Sequence, residues 1–349
     1  MFEYVGALHM HSTFSDGSGS VKEIAGFADE VGLDFIILTD HNTLRALTEG
    51  YEGWYGKTLL LVGCEINDRN NYNHYLAFGL NETISTRVPA KEYVKKVKDS
   101  GGIGFLAHPH EKRNSMKEHP PYPWKEWDTD DFTGIEIWNH MSEWMEGLTE
   151  QNKYNYFMHP LRSVVAPPKE TLIKWDELNI KRKVVGIGGV DAHAHKINLL
   201  GFFEVEVFPY KVLFKSVRTH VLTETKITKG KNAKNIEPAK KMIYDSLEKG
   251  RCFVSNFYHG DAKGFRFFAE KNKQIYKMGD TIDISGKAHL RVILPNNSGK
   301  INLIRNGELI DSINNIDADF IIDRNGAYRV EVYLEEKAWI FSNHIRIGI

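Results

Sequence analysis

The chain has 349 residues, enough for a barrel and a small second domain. Its formal net charge of −1 at pH 7 provides no wide basic surface for long nucleic acid or an anionic membrane. Two cysteines, Cys64 and Cys252, are too few for a disulfide framework, and no long apolar run is evident. We expect a cytoplasmic protein that acts on a small molecule; the oligomeric state is left open.

Short apolar segments alternate with amphipathic ones through the first two thirds of the chain. The pattern predicts a strand in EYVGALHM, a helix ending at Gly32 in VKEIAGFADEVG, and a buried strand in LDFIILTD. The alternation continues through TLLLVGCEIN, NHYLAFGL, AKEYVKKVKDSGG, IGFLAHP, GIEIWN and VVGIGGVDAH. It indicates a mostly parallel sheet with helical crossovers, and the number of repeats favours a closed or nearly closed barrel.

The stretch from His110 to Asp131 shows no regular period. It is polar, contains prolines and is rich in tryptophan, a composition typical of lids and binding loops. Trp124, Trp127, Trp138 and Trp144 are candidates either for core packing or for a pocket that holds an apolar leaving group. Core packing is the favoured interpretation.

The character of the sequence changes after about Gly264. Short segments of alternating polarity follow one another, and Asn306-Gly307 and Asn325-Gly326 are typical hairpin turns. This pattern predicts a small all-β sandwich. We therefore expect a barrel domain over residues 1–263 and a β-sandwich domain over residues 264–349.

His9 and His11 lie two residues apart at the end of the first predicted strand, so their side chains share one face. Such a pair is weak evidence for a metal site. Further residues suited to divalent metals recur at the ends of other predicted strands: Asp40, His41, Glu65, His74, His108, Asp191 and His193. Of these, Asp40 is expected to support a neighbouring ligand or cap the chain rather than bind metal. In an α/β barrel these strand ends meet at one rim, so we expect one metal centre there.

These motifs resemble the PHP superfamily, named for its polymerase and histidinol phosphatase members. The similar segments are LHMHSTFSDG, LTDHN, GCEI, NHYLAFG, AHP and GVDAH, which lie in roughly the first 200 residues. The resemblance implies a distorted, TIM-like (β/α)7 barrel with a metal cluster at its C-terminal rim. The expected fold class is therefore α/β, with the small all-β sandwich following the barrel.

The resemblance also implies a set of metal ligands. His9, His11 and Asp191 would hold one ion, and Glu65 would bridge it to a second. The second ion would be completed by His74 and His108, and a third would be held by Asp16, His41 and His193. Several family members have histidine where this chain has Asp16. The expected cofactors are two or three divalent ions, namely manganese, zinc or iron.

A narrower resemblance is to the carbaryl-hydrolase-like branch of the superfamily. It rests on GIEIWN followed by EW, on GVDAH, and on LEKGRCFVSN ahead of an all-β tail. Phosphatase-like members often carry an arginine soon after AHP, whereas AHPHEKRN places Arg113 further along.

The expected chemistry is hydrolysis by a metal-bridging hydroxide, with a small phosphate ester as the leading substrate class. A carboxylic ester or carbamate is the alternative substrate, and a non-catalytic metal-binding protein is the alternative of another class. His110 and His195 follow two predicted ligands by two residues, so they are candidates for proton transfer to the leaving group. Lys112, Arg113 and His140 are the candidates for substrate binding.

Overall fold

The computed structural model describes residues 1–115, 120–199, 203–229, 235–282 and 287–349. Part of the predicted binding loop, including His119, and part of the predicted sandwich lie outside the described residues.

The helices lie mainly between the strands of the first 250 residues. Val21, Ile24, Ala25 and Ala28 of the first helix are buried, and Ser20 caps its N-terminus in a capping box with Glu23. The helices are α1 (Val21–Glu30), α2 (Arg45–Thr48), α3 (Ala90–Asp99), α4 (His140–Gly147), α5 (Lys153–Met158), α6 (Lys169–Lys181), α7 (Tyr210–Leu213) and α8 (Glu237–Glu248). Among the described residues, we find no helix with the length and apolarity needed to cross a membrane.

The strands of the first 260 residues are β1 (Phe2–Leu8), β2 (Phe35–Leu38), β3 (Gly53–Tyr55), β4 (Thr58–Ile66), β5 (Tyr75–Phe78), β6 (Ile103–Leu106), β7 (Gly134–Asn139), β8 (Val185–Gly189), β9 (His195–Leu199), β10 (Phe203–Val207), β11 (Val217–Thr223) and β12 (Cys252–Asn256). The later strands are β13 (Arg266–Lys271), β14 (Gln274–Lys277), β15 (Thr281–Ile282), β16 (Ala288–Ile293), β17 (Gly299–Arg305), β18 (Glu308–Asn315), β19 (Asp317–Ile322), β20 (Gly326–Leu334), β21 (Lys337–Ser342) and β22 (Ile345–Ile347).

One long sheet organises the molecule. Its hydrogen-bonded order is β15-β22-β20-β21-β12-β11-β1-β2-β4-β5-β6-β7-β8. Just beyond β8, the amide of Val190 donates to the Leu8 carbonyl at 2.9 Å, and the amide of Asp191 donates to the His9 carbonyl at 2.7 Å. The end of β8 therefore lies beside the end of β1, although β8 is the last strand of the hydrogen-bonded order and β1 lies in its middle.

Helices alternate with the strands of this part of the chain, so the core of the molecule is mixed α/β, as the alternating pattern predicts. β1, β2 and β4 run parallel to one another, and so do β6, β7 and β8. β5 is the exception, because it is antiparallel to both β4 and β6. The connection between β4 and β5 spans only residues 67–74, which is too short for the crossover that a parallel pair requires.

The described residues after Gly264 form strands and turns and contain no helix. β13, β14, β16 and β19 form a separate four-stranded sheet, whereas β21 pairs with β12 and so continues the long sheet. The C-terminal strands are thus hydrogen-bonded to the N-terminal part of the molecule. The predicted boundary at residues 263–264 falls between β12 and β13 and stays a prediction.

A buried group of charged side chains joins α6 to the C-terminal strands. The Arg329 guanidinium donates to both carboxylate oxygens of Asp176 at 2.7 Å and to Glu331 at 2.6 Å. His344 Nε2 also lies 2.7 Å from Asp176 Oδ1. We call Asp176, Arg329, Glu331 and His344 the Asp176 network.

Candidate metal centre

Strand ends bring the predicted ligands to one place. His9 and His11 follow β1, His41 follows β2, and Glu65 lies near the end of β4. The carboxyl ends of neighbouring parallel strands meet at one edge of a sheet, so these four side chains converge.

The other side of the rim is built in the same way. His108 follows β6, and Asp191 and His193 follow β8. His74 instead precedes β5, and because β5 is antiparallel to its neighbours, its beginning lies at the rim where the other strands end.

Glu65 lies at the centre of these residues, with 1% of its surface exposed. One carboxylate oxygen, Oε2, is 3.1 Å from His9 Nε2 and 3.2 Å from His11 Nε2. The other, Oε1, is 2.7 Å from His74 Nδ1 and 3.4 Å from His108 Nε2. Oε2 is also 3.4 Å from His41 Nδ1. The two oxygens thus face different sets of imidazoles, an arrangement suited to a carboxylate that bridges two ions.

Asp191 faces the histidines of β1. Its Oδ1 is 3.5 Å from the Nε2 atoms of both His9 and His11 and 3.5 Å from His193 Nδ1. His9, His11 and Asp191 have ligand atoms within 4.8 Å of one another, so the three can hold a single ion.

Asp16 lies at the open side of the group, and its side chain is 49% exposed. Its carboxylate is 3.4 Å from His193 Nε2, 3.7 Å from His41 Nε2 and 3.7 Å from His11 Nδ1. Asp16 is therefore part of a ligand group that includes these three histidines.

All nine residues predicted as ligands fall into ligand groups whose atoms lie within 4.8 Å of one another. Most of these residues line one cavity, and we therefore call the set the cavity cluster: His9, His11, Asp16, His41, Glu65, His74, His108, Asp191 and His193. His41 belongs to two of these groups, one with Asp16 and one with Glu65 and His74.

The polar atoms of the cavity cluster fit divalent ions. Within the described residues, Glu65 and Asp191 form ion pairs with histidines, and no lysine or arginine pairs with either carboxylate. Five buried ring nitrogens of the cluster lack a hydrogen-bond partner: Nδ1 and Nε2 of His11, Nδ1 of His41, Nε2 of His74 and Nδ1 of His108. Unpaired buried imidazole nitrogens beside carboxylates are the donors that zinc, manganese and iron take.

The electrostatics show how strongly these groups are coupled. Burial opposes ionisation of Glu65, but His9, His41 and His74 outweigh it, and the pKa of Glu65 falls well below its ordinary value. Burial is the largest effect on His41 and lowers its pKa to about 4. Neighbouring histidines lower this pKa further, and together these effects outweigh the nearby carboxylates, which raise it. A neutral imidazole has a free electron pair for a metal ion.

Three residues of the cavity cluster have left-handed backbone. The φ angles are 62° at His9, 28° at His108 and 54° at Asp191. Residues other than glycine rarely adopt this region, and the strain is of order 1–3 kcal/mol each. The surrounding hydrogen bonds hold these residues in conformations that point their side chains at the rim.

Glu136 supports the cluster and was not identified from the sequence. It is buried on β7, where its Oε1 is 2.9 Å from His9 Nδ1 and its Oε2 accepts from the amide of His108 at 2.8 Å. Asn139 also donates to Oε2, at 2.9 Å. With the Nδ1 proton held by Glu136, Nε2 of His9 is left to face the rim. A charged residue in the apolar segment GIEIWN was the available signal.

Asp40 and Cys64 belong to none of the ligand groups found among the described residues. Asp40 accepts hydrogen bonds at 2.7 Å from the amide and hydroxyl of Ser12 and from the Ser15 hydroxyl, so it fixes the loop after β1. Cys64 is buried in the apolar core, and burial raises the pKa of its thiol to about 12. The thiolate that a metal requires is therefore disfavoured.

Two of the predicted catalytic and substrate-binding residues line the cavity above the cluster. His195 stacks on His193 with ring centroids 4.8 Å apart. Arg113 also lines this cavity; its guanidinium lies 2.8 Å from Glu111 and 4.9 Å from the centroid of the Tyr122 ring.

The structure does not bring the other three to the cavity. His110 packs against Trp127 and lies 3.1 Å from the Thr171 hydroxyl, lining a separate small cavity. Lys112 pairs at the surface with Glu170 at 2.5 Å. His140 is fully buried at the start of α4, and burial lowers its pKa to about 3. Their contacts with Thr171 and Glu170 place His110 and Lys112 beside α6 and its surroundings, whereas Arg113, further along the same loop, lines the cavity.

Residues 7–119 match the family model of the PHP domain. Over 116 residues the chain is 27% identical to an uncharacterized protein of Methanocaldococcus jannaschii, covering 30% of this chain and 66% of that protein. The chain therefore spans slightly less than two thirds of the length of this relative.

The chain also matches solved structures at low identity. A two-domain protein of Bacteroides vulgatus, described as containing a predicted PHP-like metal-dependent phosphoesterase, gives a TM-score of 0.45 at 15% identity and covers 98% of this chain and 95% of that one. A proposed metal-dependent phosphoesterase of Bifidobacterium adolescentis gives 0.33 at 16% identity, covering 58% and 92%. An amidohydrolase of Chromobacterium violaceum gives 0.33 at 13% identity, covering 54% and 87%.

Proposed function

We propose that the chain is a PHP-type metal-dependent hydrolase whose substrates are small phosphate esters. The observation that carries the proposal is the cavity cluster itself, with nine potential ligand residues and unpaired buried imidazole nitrogens at one cavity. The match of residues 7–119 to the PHP domain supports it, because this segment includes seven of the nine residues.

The ligand groups suggest how two or three ions would be held. His9, His11 and Asp191 would hold one, and Glu65 would link it to a second ion held with His74 and His108. Asp16, His41 and His193 would hold a third. When bound, such ions supply a water of lowered pKa and polarise the ester oxygen.

The chain's own residues would position the ester. Arg113 is the one lysine or arginine among the described residues that line the cavity, and it would bind an anionic phosphate oxygen. His195 would contact the leaving group. In the reaction, a water oxygen forms a bond to phosphorus, the bond to the leaving oxygen breaks, and that oxygen takes a proton.

Hydrolysis of a carboxylic ester or carbamate is the second candidate. The observation in its favour is that the charge of Arg113 is already paired with Glu111 at 2.8 Å, so the cavity is less basic than an open arginine would make it.

The two candidates can be separated in one experiment. Protein purified without chelator is assayed with p-nitrophenyl phosphate and p-nitrophenyl acetate in added manganese, zinc or iron, and its metal content is measured by elemental analysis. We expect at least two metal ions per chain when metal is supplied, faster phosphate turnover, and loss of turnover on chelation.

Preferential hydrolysis of the acetate would favour the second candidate. Bound metal without turnover of either ester would indicate a non-catalytic metal-binding protein. Turnover that survives full removal of metal would contradict the metal-dependent mechanism.

A further inference from the structure

The cavity has an apolar as well as a polar lining. Its volume is about 250 Å³, close to the lower end of the range for small-molecule sites, which begins near 300 Å³. Residues of the cavity cluster form much of the polar lining. We call the apolar lining side chains the apolar wall, which consists of Met141, Trp144, Met145, Phe157, Ile197 and Val207.

Helix α4 contributes half of the apolar wall. Met141, Trp144 and Met145 are spaced at i, i+3 and i+4, so they lie on one face of the helix. The ring of Phe157, from α5, packs edge-on against Trp144 with centroids 5.0 Å apart. This contact holds the two aromatic side chains of the wall in place.

The β9–β10 hairpin contributes the remainder. His195 and Ile197 are two residues apart on β9, so their side chains share a face, and Val207 is paired directly with His195 across the hairpin. The predicted leaving-group contact, His195, therefore has apolar neighbours on the same face.

The wall side chains provide no hydrogen bond to a bound molecule. Trp144 is the one wall residue with an N–H group, and its Nε1 already donates to the Tyr156 carbonyl at 3.2 Å. A hydroxyl group placed against this wall would lose its bonds to water without replacement, whereas a hydrocarbon group would gain from burial.

Resting on the proposed function, we infer that the preferred substrates are phosphate monoesters with a bulky apolar leaving group. The phosphate would lie at the cavity cluster and Arg113, and the hydrocarbon part against the apolar wall. The unbranched side chains of Met141 and Met145 adapt to different shapes, so the wall fits a range of aryl-methyl or branched alkyl groups better than one defined ring.

The test compares benzyl phosphate with glycerol 3-phosphate on the metal-loaded protein. Both esters release a primary alcohol, so the comparison chiefly reports recognition of the leaving group. We expect kcat/KM for benzyl phosphate to be at least about tenfold higher. Binding of benzylphosphonate and methylphosphonate, measured by calorimetry, gives a readout that does not depend on turnover, and we expect the benzyl compound to bind more tightly.

Two wall variants tie the preference to these residues. Ile197 and Phe157 are 36% and 37% exposed, so Ile197→Thr and Phe157→Ala are compatible with folding. We expect each to lower the benzyl-to-glycerol ratio several-fold, mainly through KM for benzyl phosphate. Ile321→Thr is the matched control, because Ile321 lies on β19 away from the cavity and is 63% exposed; the ratio should not change.

Equal use of both esters, or wall variants that keep the wild-type ratio, would overturn the inference and leave the proposed function intact. Turnover of neither ester under any metal would overturn the proposed function and this inference with it.

Discussion

The cavity cluster and the Asp176 network are both buried groups of acidic and histidine side chains, and they differ in how their charge is balanced. In the network, Arg329 supplies a cation that binds Asp176 through two hydrogen bonds of 2.7 Å. In the cavity cluster, Glu65 and Asp191 have only histidines as ion-pair partners within the described part of the chain. A permanently charged arginine fixes the carboxylates of the Asp176 network within the fold. The carboxylates of the cavity cluster face histidines, which can lose their protons and so make room for a metal cation.

The unpaired atoms show the same difference. Five buried ring nitrogens of the cavity cluster lack a hydrogen bond, against one in the network, Nδ1 of His344, within the described residues. Replacing one residue of the network should therefore reduce stability, and replacing one residue of the cluster should reduce metal binding and activity.

The largest expected effect is on stability. Asp176→Ala leaves the guanidinium of Arg329 buried with Glu331 as its remaining carboxylate partner, and we expect a loss of about 3–5 kcal/mol in the free energy of unfolding. Denaturant unfolding measures it. Glu177→Ala is the control on the same helix, because the Glu177 side chain is 55% exposed and pairs only at the surface with Lys174. Similar stability of the two variants would show that the network does not hold the C-terminal strands to α6.

His9→Ala should reduce metal binding and activity rather than stability. It removes a donor from the first ligand group and the partner of Glu136, so we expect metal affinity and turnover to fall by about 100-fold or more. Circular dichroism should show a folded protein. His289→Ala serves as the control, since His289 lies on β16 with a side chain that is 43% exposed. Wild-type metal content and rate in folded His9→Ala would contradict the ligand assignment.

The pH dependence of stability tests the ion pair of the Asp176 network directly. Burial raises the pKa of Asp176, but Arg329 and His344 outweigh it and lower the value to about 2. A lowered pKa contributes stability above the ordinary value near 3.9 that is lost as the pH falls toward 2. We expect the stability difference between wild type and Asp176→Asn to shrink by about 2 kcal/mol between pH 5 and pH 2. A constant difference in urea midpoints across this range would argue against the ion pair.

Asp16→Ala should have the smallest effect. Asp16 is half exposed at the open side of the cluster and belongs to one ligand group, so its loss should empty one metal position and leave the others. We expect turnover to fall about tenfold, with one metal ion fewer per chain. Asp319→Ala is the control, because Asp319 is 46% exposed and also pairs with a histidine. Loss of all bound metal in Asp16→Ala would mean that the three ligand groups bind as one unit.

Local sequence contained most of the information about the cavity cluster. All the ligands except Asp16 lie at or near the end of a recognisable apolar strand, so the alternating pattern indicates that they converge. Asp16 lies in the loop after β1, and it was included through the resemblance to the PHP superfamily. The same pattern explains why the α/β core could be predicted. The positions of His110 and Lys112 depend on the path of an irregular loop, which has no period from which to infer it.

The Asp176 network could not be predicted, because its members are far apart in the sequence. Asp176 and Arg329 are separated by 153 positions, and an aspartate in the helical segment KWDELN resembles an ordinary exposed charge. The pairing of β12 with β21 has the same cause, since it joins strands that are distant in the chain. Strand alternation indicates which residues form strands but does not determine which distant strands pair.

The left-handed backbone at His9, His108 and Asp191 has a consequence for the evolution of the sequence. At each position glycine would relieve the backbone strain, so selection for metal binding favours the ligand side chain over glycine there. A descendant released from that selection would be free to accept glycine at these three positions. Glycine there would therefore identify a relative that has lost the metal centre, even where the rest of the fold is unchanged.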